Sequence, residues 1–370
     1  MKTMTVPFVD LQSQYLALRD EVLAKVDDVF RRGAFILGDE VGAFEKAFAN
    51  FTGAKECVGV ATGCDALLWA LKALGIGAGD EVIAPANTFI ATVLAITASG
   101  ATPVLADCLE DDFTLNPTAA EHAVTKKTRA IMPVHLYGQA ARMDELQAVA
   151  KRHNLKIIED AAQAHGATYR EKPCGSFGAA NAFSFYPGKN LGAYGDGGAV
   201  VTDSADIAEK CRHYRNYGQS KKYHHDVAGW NSRLDTVQAA ILISKLQRLP
   251  AWNEARRRHA ARYAKMLSGL PVKIPVERAE CRHVWHLYVI RTPRRDELLS
   301  FLGTRGISCG IHYPVPVHLQ KAYANLGRAP GSFPVSEKLA TEILSLPMFP
   351  ELTDPQIDYV CENIAEFFRA

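Results

Sequence analysis

The sequence lacks the cysteine spacing that zinc ribbons and thioredoxin-like centres need. Its eight cysteines include no C-x-x-C pair, which excludes both kinds of site. The chain also has little net charge, because 42 lysine and arginine residues oppose 40 aspartate and glutamate residues and leave +2 at pH 7. With so weak a net field, we expect binding neither to nucleic acid nor to an anionic membrane surface.

An apolar run long enough and pure enough to cross a membrane is also missing. The longest uncharged run, residues 82–106, is interrupted by Pro85, Asn87, Gly100 and Pro103. We therefore interpret it as a buried strand, a helix and a second strand. The first seven residues, MKTMTVP, lack the apolar core of a signal peptide, so we expect a cytoplasmic protein.

What the chain does contain is enough apolar material for a large core. It has 370 residues, 48% of them hydrophobic, which suggests roughly two domains. Apolar runs of strand length alternate with helical stretches, a pattern typical of an α/β fold with a mostly parallel sheet covered by helices. The predicted strands are residues 81–84, 103–106, 130–134, 156–159, 182–185, 198–202 and, in a second region, 285–290.

The composition changes near residue 246, where a charged helical stretch begins and prolines follow. We predict a large domain over residues 1–248, with an N-terminal arm, and a small C-terminal domain over residues 249–370. This boundary separates the α/β pattern from the strand predicted at 285–290.

Two of the predicted strands end in residues that can carry chemistry. Asp160 directly follows one strand, and Lys189 stands in a Pro-Gly turn just after the next. Open α/β sheets bind ligands at the carboxyl ends of their strands. A lysine placed there can act as a Schiff-base nucleophile, because desolvation or a neighbouring cation lowers its pKa. Taken alone, Asp160 is more typical of a helix N-cap than of a catalytic group.

The glycine-rich segments match no nucleotide-binding motif, since neither G-x-x-x-x-G-K-[ST] nor G-x-G-x-x-G occurs. Gly63, Cys64 and Asp65 open a predicted helix, however, and backbone N–H groups at a helix N-terminus can bind phosphate. With Ser184 near the lysine and Phe89 just past a strand, the chain contains the parts of a pyridoxal phosphate site. Those parts are a lysine, an acid, a phosphate cradle and an aromatic ring.

Several sequence blocks, in this order, resemble the DegT/DnrJ sugar aminotransferase family, and together they span nearly the whole chain. The blocks are FILGDEV at 35–41, GDEVIAPANTF at 79–89, EDAAQAHG at 159–166, SFYPGKNLG at 184–192, GDGGA at 195–199, NSRLD at 231–235 with QAA at 238–240, and GIHYP at 310–314.

The resemblance implies a fold-type-I, pyridoxal-phosphate-dependent homodimer with its active site at the subunit interface. It implies a large domain with a mostly parallel seven-stranded sheet and a smaller α+β domain at the C-terminus. By position, Lys189 is the Schiff-base lysine, Asp160 the partner of the pyridinium nitrogen, and Gln163 a hydrogen-bond donor to the ring hydroxyl of the cofactor.

Further roles follow from the same resemblance. Phe89 is expected to stack on the cofactor ring. The phosphate is expected to be held by Gly63, Cys64, Asp65, Ser184 and, from the other subunit, Asn231. The nucleotide sugar is expected to face Tyr186, His312, Tyr313 and the partner's Arg233. Many family members carry threonine where this chain has Cys64, and we expect backbone N–H groups to compensate for the missing hydroxyl.

Lys189 also argues against the dehydratase branch of the family, in which histidine replaces this lysine, and so favours transamination. The blocks PVHLYGQ at 133–139, YPGK at 186–189 and YHH at 223–225 resemble members that aminate C3 of a dTDP-3-keto-6-deoxyhexose. L-Glutamate is the expected donor, and the amino sugar is expected to serve surface polysaccharide or natural-product biosynthesis.

Other functions remain open at this point. They are amination of a UDP-2-acetamido-3-keto sugar acid, amination of a 4-keto-6-deoxy nucleotide sugar, ligand sensing by a regulatory protein that keeps the fold without catalysis, and a Schiff-base lyase without a cofactor.

The paired histidines could suggest a metal site. His224-His225 and His283-x-x-His286 are not accompanied by a carboxylate cluster in ligand spacing, so we expect no metal. We interpret 224–225 as part of a loop near the partner's active site.

Overall fold

The computed structural model describes residues 4–369, and its strands and helices alternate along the first two thirds of the chain. The strands are β1 (Glu56–Val60), β2 (Glu81–Pro85), β3 (Thr102–Ala106), β4 (Thr128–Ile131), β5 (Lys156–Asp160), β6 (Thr168–Tyr169), β7 (Lys172–Pro173), β8 (Ala180–Ser184), β9 (Gly198–Thr202), β10 (Gln219–Lys221), β11 (His224–His225), β12 (Cys281–Arg282), β13 (Tyr288–Arg291) and β14 (Ile343–Leu346).

The helices lie mainly between these strands and after them. They are α1 (Leu11–Arg32), α2 (Asp39–Thr52), α3 (Gly63–Ala73), α4 (Ile90–Ser99), α5 (Pro117–His122), α6 (Met143–Arg152), α7 (Ala205–Arg215), α8 (Thr236–Leu246), α9 (Leu249–Leu267), α10 (Arg295–Thr304), α11 (Pro334–Glu342) and α12 (Asp354–Arg369). Short 3₁₀ turns occur at Leu136–Gly138, Val317–Leu319 and Lys321–Leu326.

A seven-stranded sheet forms the centre of the fold, in the order β1-β9-β8-β5-β4-β2-β3. Only β9 runs antiparallel to its neighbours in this sheet. Successive residues of one strand pack on opposite faces of the sheet: Ile157 belongs to the apolar cluster on one face and Ile158 to the cluster on the other. The sheet is therefore buried on both faces, as parallel sheets require, and the predicted fold class is confirmed.

A second core lies beyond the sheet. It gathers side chains from α9, α10, α12 and the β13–β14 pair, and it also contains Val6 from the start of the described chain. Val6 reaches it by pairing with Ile307. We propose that the domain boundary lies at residue 248, as expected from the sequence. The reason is that α9 is the first helix that contributes side chains to this second core.

One predicted strand is displaced. Residues 285–290 were expected to be extended, but β13 begins only at Tyr288. Trp285 has a φ of 48°, a left-handed conformation that a strand cannot contain. The backbone turns here, and the next two residues, His286 and Leu287, line a cavity instead.

All eight cysteines are free thiols, and five of them are buried. Within residues 4–369, no helix combines the length and the apolar character needed to cross a membrane.

Candidate active site

A cavity of about 620 Å³ opens at the carboxyl ends of the central strands. Asp160 at the end of β5, Ser184 at the end of β8 and the first residues of α3 form one side of it. Residues from the C-terminal part of the chain, including His312 and Met348, close the other side. The site therefore lies where the sheet ends and the C-terminal region covers it, as expected for an α/β fold.

Lys189 enters the cavity from the turn that follows β8. Its N–H donates to the carbonyl of Tyr186 (2.9 Å), and the N–H of Ala193 donates back to Phe185 (2.8 Å). Burial lowers the pKa of the Lys189 ammonium to about 8, against the opposing attraction of Asp160. A substantial share of the amine is therefore neutral, and nucleophilic, in mildly alkaline solution.

Asp160 is a buried carboxylate held by two hydrogen bonds. Its Oδ2 accepts from the hydroxyl of Thr92 (2.7 Å), and its Oδ1 accepts from the N–H of Ala162 (3.2 Å). Burial raises the pKa of Asp160, whereas these two bonds and the charge of Lys189 oppose the rise. The group is thus oriented to accept a further proton or N–H donor from the cavity.

The N-terminus of α3 forms a cradle against the end of β8. Gly63 and Cys64 lie in the first helical turn, where backbone N–H groups have no partner within the helix. A Cβ on Gly63 would lie 2.5 Å from the Cβ of Ser184, so only glycine permits the helix end and the serine to meet. Burial raises the pKa of Cys64 to about 11, which keeps its thiol neutral beside a bound anion.

Asp65 was expected in this cradle but does not line the cavity. Its N–H donates to the N-cap hydroxyl of Thr62 (3.0 Å), and its carboxylate accepts from the hydroxyl of Ser232 (2.8 Å). Ser232 also accepts from the indole of Trp69 (3.0 Å). Asp65 therefore fixes the helix start rather than facing the anion site.

Gln163 presents donors to the cavity. Its Oε1 accepts from the N–H of Tyr137 (2.6 Å), so its Nε2 is the atom that faces the hydroxyl of Tyr313 (3.3 Å). Phe89, at the start of α4, is half exposed, and its ring centroid lies 5.3 Å from that of Tyr313. An aromatic face and an amide donor thus stand at the same cavity.

The remaining predicted residues divide into two groups. Tyr186, His312 and Tyr313 line the cavity, and the Nδ1 of His312 lies 2.9 Å from the hydroxyl of Ser345. Asn231 and Arg233 do not line the cavity of their own chain. Asn231 is exposed.

Arg233 donates to the side-chain oxygen of Asn216 (3.0 Å) and lies over the ring of Tyr217. The hairpin β10–β11, which contains His224 and His225, is exposed nearby.

Two cavity neighbours were not identified from the sequence. Thr92, which orients Asp160, is one of two threonines in the apolar helix α4 and belongs to no motif. His286 was considered only as a metal ligand with His283, yet the two rings are engaged separately. The ring of His283 stacks on Trp285 (3.9 Å), and His286 bonds to Asn190.

These residues fit pyridoxal phosphate on the chemistry of their donors. The lysine of lowered pKa suits the aldehyde, the buried acid suits the ring nitrogen, and the N–H groups beside a serine suit the phosphate. The amide donor suits the ring hydroxyl, and the exposed aromatic face suits the face of the cofactor ring. The contact that excludes any Cβ at Gly63 brings the start of α3 and the hydroxyl of Ser184 together, as a phosphate cradle requires.

Comparison with known proteins agrees with this fit. The model of the DegT/DnrJ/EryC1/StrS aminotransferase family matches residues 17–365. The chain is 50% identical over 369 residues to a protein of Geobacillus stearothermophilus named pleiotropic regulatory protein, covering 99% of both. It is 50% identical to dTDP-3-amino-3,4,6-trideoxy-alpha-D-glucose transaminase of Streptomyces venezuelae, covering 99% of this chain and 97% of the relative.

A third relative, UDP-N-acetyl-3-dehydro-alpha-D-glucosamine 3-aminotransferase of Acidithiobacillus ferrooxidans, is 46% identical, with 95% of each chain covered. Among solved structures, S. venezuelae DesV in complex with a ketimine intermediate has a TM-score of 0.98, 50% identity and full coverage of both chains. NtdA of Bacillus subtilis with bound cofactor PMP has a TM-score of 0.93 and 31% identity, covering 100% of this chain and 86% of that one.

The match to the family model covers most of the chain, and the two solved relatives share its fold over 100% and 86% of their own chains. The pyridoxal phosphate dependence predicted from the sequence is thereby confirmed. The chain belongs to the DegT/DnrJ/EryC1/StrS aminotransferase family.

Proposed function

We propose that this protein transfers the amino group of L-glutamate to C3 of a dTDP-linked 3-keto-6-deoxyhexose. The observation that carries the proposal is that Lys189 and Asp160 open onto one cavity beside the α3 cradle. The 50% identical transaminase of S. venezuelae supports the dTDP-3-amino sugar class. Each half of a ping-pong cycle would use the same cavity.

The residues divide the chemistry among them. Bound pyridoxal phosphate supplies an electron-accepting ring that stabilises a carbanion on the substrate. Asp160 would accept the N–H of the cofactor ring nitrogen and keep that nitrogen protonated. Lys189 Nζ, when neutral, takes a proton from the substrate carbon and returns it as an ammonium group. A pKa of about 8 suits both proton transfers, because the ammonium and the neutral amine of Lys189 are then both populated near neutral pH.

The sugar nucleotide would enter past side chains at the open rim. Tyr186 is among the large exposed apolar residues of the chain, and it lines the cavity. Aromatic rings at a cavity mouth suit stacking with a base or a sugar face. His312 and Tyr313 lie deeper and offer polar atoms to the sugar.

We further propose that the protein is a homodimer that completes each site with residues of the other copy. Leu16, Leu23 and Phe30 recur at seven-residue intervals on α1 and are all exposed, so they form an apolar stripe. Asn231 and Arg233 stand outside their own cavity, which suits residues offered to a partner's site. An exposed stripe of this kind suits burial against a second copy.

A UDP-linked 3-keto sugar is the second candidate substrate, favoured by the 46% identical UDP-sugar 3-aminotransferase. The regulatory name of the Geobacillus relative raises ligand sensing without catalysis as an alternative. Catalysis is favoured instead, because a buried acid, Asp160, and a nucleophilic lysine, Lys189, line the same cavity.

An absorption spectrum before and after adding L-glutamate tests the proposal first. The visible band of bound pyridoxal phosphate should be lost and replaced by the ultraviolet band of pyridoxamine phosphate, with release of 2-oxoglutarate. An unchanged band would rule out glutamate as donor, and a sensing role would gain support. The pyridoxamine form, mixed with dTDP- and UDP-linked 3-keto sugars in parallel, should regain the visible band faster with the dTDP sugar; the reverse preference would overturn the nucleotide assignment.

A further inference from the structure

His286 occupies a position in the cavity that the function just described does not use. It follows the left-handed Trp285 and lines the same cavity as Lys189. Its backbone is fixed from α9, because Arg256 Nη1 donates to the carbonyls of Trp285 (3.2 Å), His286 (3.3 Å) and Met348 (2.8 Å). The backbone that carries the ring is therefore fixed at the cavity wall.

A chain of side-chain amides determines which nitrogen of His286 carries its proton. Asn253 Nδ2 donates to the carbonyl of His165 (2.8 Å), so Asn253 Oδ1 must be the acceptor for Asn190 Nδ2 (2.9 Å). Asn190 Nδ2 also donates to the carbonyl of Val284 (2.9 Å), an atom that can only accept. Both hydrogens of the Asn190 amide are thereby used.

The remaining atom of Asn190 is its carbonyl oxygen, which lies 3.1 Å from Nδ1 of His286. An oxygen there can only accept, so Nδ1 carries the hydrogen and Nε2 carries a lone pair. In residues 4–369, Nε2 of His286 has no hydrogen-bond partner. His312 differs, because its Nδ1 faces the rotatable hydroxyl of Ser345, which can donate or accept and leaves the tautomer undetermined.

The surroundings keep His286 neutral. Burial, followed by the charge of Lys189, lowers the pKa of His286 well below its usual value, and the other titratable or charged groups around it are Arg256, His165 and His312. A neutral ring of fixed tautomer is a permanent acceptor. Lys189 likewise has no hydrogen-bond partner for its Nζ within the described residues, and its amine opens to the same cavity.

We propose that His286 is a positioning residue for Lys189: its Nε2 accepts a hydrogen bond from the Lys189 amine whenever that amine is not bonded to the cofactor. A lysine side chain has a flexible four-carbon stem, so an acceptor at the wall keeps the released amine within reach of the substrate carbon. The inference rests on the proposed role of Lys189.

The test uses the apo protein, without amino donor or sugar, so that a contact with substrate cannot contribute. Apo protein is mixed with pyridoxal phosphate across a range of pH, and the rate at which the visible band appears is recorded. Only the neutral amine attacks, so the wild-type rate should rise with pH and level off above about 8. The midpoint of the curve reports the pKa of Lys189, since the titration of free cofactor is common to all variants.

His286→Phe removes the acceptor, so the ammonium form of Lys189 should lose stabilisation and the midpoint should fall by roughly one pH unit. His286→Gln retains an acceptor oxygen and should restore most of the wild-type midpoint. His283→Phe is the matched control: it makes the same change at a buried histidine three residues away that does not line the cavity, and its midpoint should equal the wild-type value.

Asn190→Ala keeps the test decisive if the phenylalanine variant fails to fold. It leaves the cavity wall intact but frees the tautomer of His286, so the midpoint should fall part of the way. Unchanged or raised midpoints in both variants would overturn the proposal. Absence of any visible band in the wild type would instead contradict the proposed function of Lys189.

Discussion

Lys189 and Asp160 have pKa values displaced in opposite directions by the same cause, burial at the end of the sheet. Burial lowers the pKa of the lysine to about 8 and raises that of the aspartate. Each group also stabilises the charge of the other, and opposed shifts of this kind mark acid–base assignments in active sites. Burial and their mutual attraction thus set the protonation of Lys189 and Asp160 together.

Replacing the lysine should abolish turnover without unfolding the protein. We expect Lys189→Ala to lower the rate of the glutamate half-reaction by at least about a thousandfold, because both the nucleophile and the proton carrier are removed. Lys245→Met is the control, since Lys245 is also buried with a pKa lowered to about 8 but does not line the cavity. Comparable losses in the two variants, measured by stopped-flow absorbance, would contradict the assignment of Lys189.

Asp160→Asn should retain the cofactor but slow the reaction by about 10² to 10⁴-fold, because an amide cannot keep the ring nitrogen protonated. Single-turnover rates with glutamate, alongside the absorbance of bound cofactor, measure both properties. Asp112→Asn serves as the control, as Asp112 is equally buried but pairs with Arg142 and Arg278 away from the cavity. Wild-type rates for Asp160→Asn would show that the carboxylate has no catalytic part.

Individual site residues differed in how well the sequence predicted them. Asp160 and Lys189 could be placed because each follows an apolar strand, and strand ends of a parallel sheet meet at one edge. Thr92 and His286 could not, since the hydroxyl lies within a helix and the imidazole reaches the cavity only through a backbone reversal. Asp65 shows the opposite case, because its motif suggested phosphate binding while its contacts are with Thr62 and Ser232.

At the scale of elements, the start of α3 and the end of β8 act as one unit. The helix end supplies N–H groups and the positive end of the helix dipole, and the strand end supplies Ser184. Their close approach requires glycine at position 63. The cradle is therefore sensitive to a single methyl group.

Gly63→Ala should weaken binding of pyridoxal phosphate at least about tenfold, because the added Cβ would lie 2.5 Å from that of Ser184 and must push the helix end away. Fluorescence titration of the apo protein measures the change. Gly42→Ala is matched to it, since Gly42 lies within α2 and a Cβ there meets nothing within 4 Å. This control should bind the cofactor normally and gain up to about 1 kcal/mol of stability. Equal affinities in both variants would argue against the cradle.

The element order was predictable because strands buried on both faces read as continuous apolar runs. The strands predicted at 81–84, 103–106, 156–159 and 198–202 lie within or overlap β2, β3, β5 and β9. The edge strand β1 was not predicted. The start of β13 was misplaced because no local pattern announces that Trp285 adopts a left-handed conformation.

At the scale of the whole molecule, the apolar stripe on α1 predicts that assembly and cofactor binding are linked. We expect Leu23→Lys to shift the protein from dimer toward monomer in sedimentation velocity, because a charge would be buried at the contact. Cofactor affinity should fall with it if Asn231 is supplied by the second copy.

Ala17→Lys controls for the added charge, since Ala17 is exposed on α1 beside the stripe formed by Leu16, Leu23 and Phe30. It should remain dimeric. A Leu23→Lys variant that stays dimeric at micromolar concentration would exclude this face as the contact.

The pairing of Val6 with the C-terminal region has a consequence for synthesis in the cell. Val6 exchanges backbone hydrogen bonds with Gly306 and Ser308, each 2.9 Å long, so its partners are made about 300 residues later. At ribosomal rates of about 5 to 20 residues per second, these first residues wait roughly 15 to 60 seconds for them. During that time the backbone groups of Val6 lack their native partners, and its side chain stays outside the core that it enters in the folded protein.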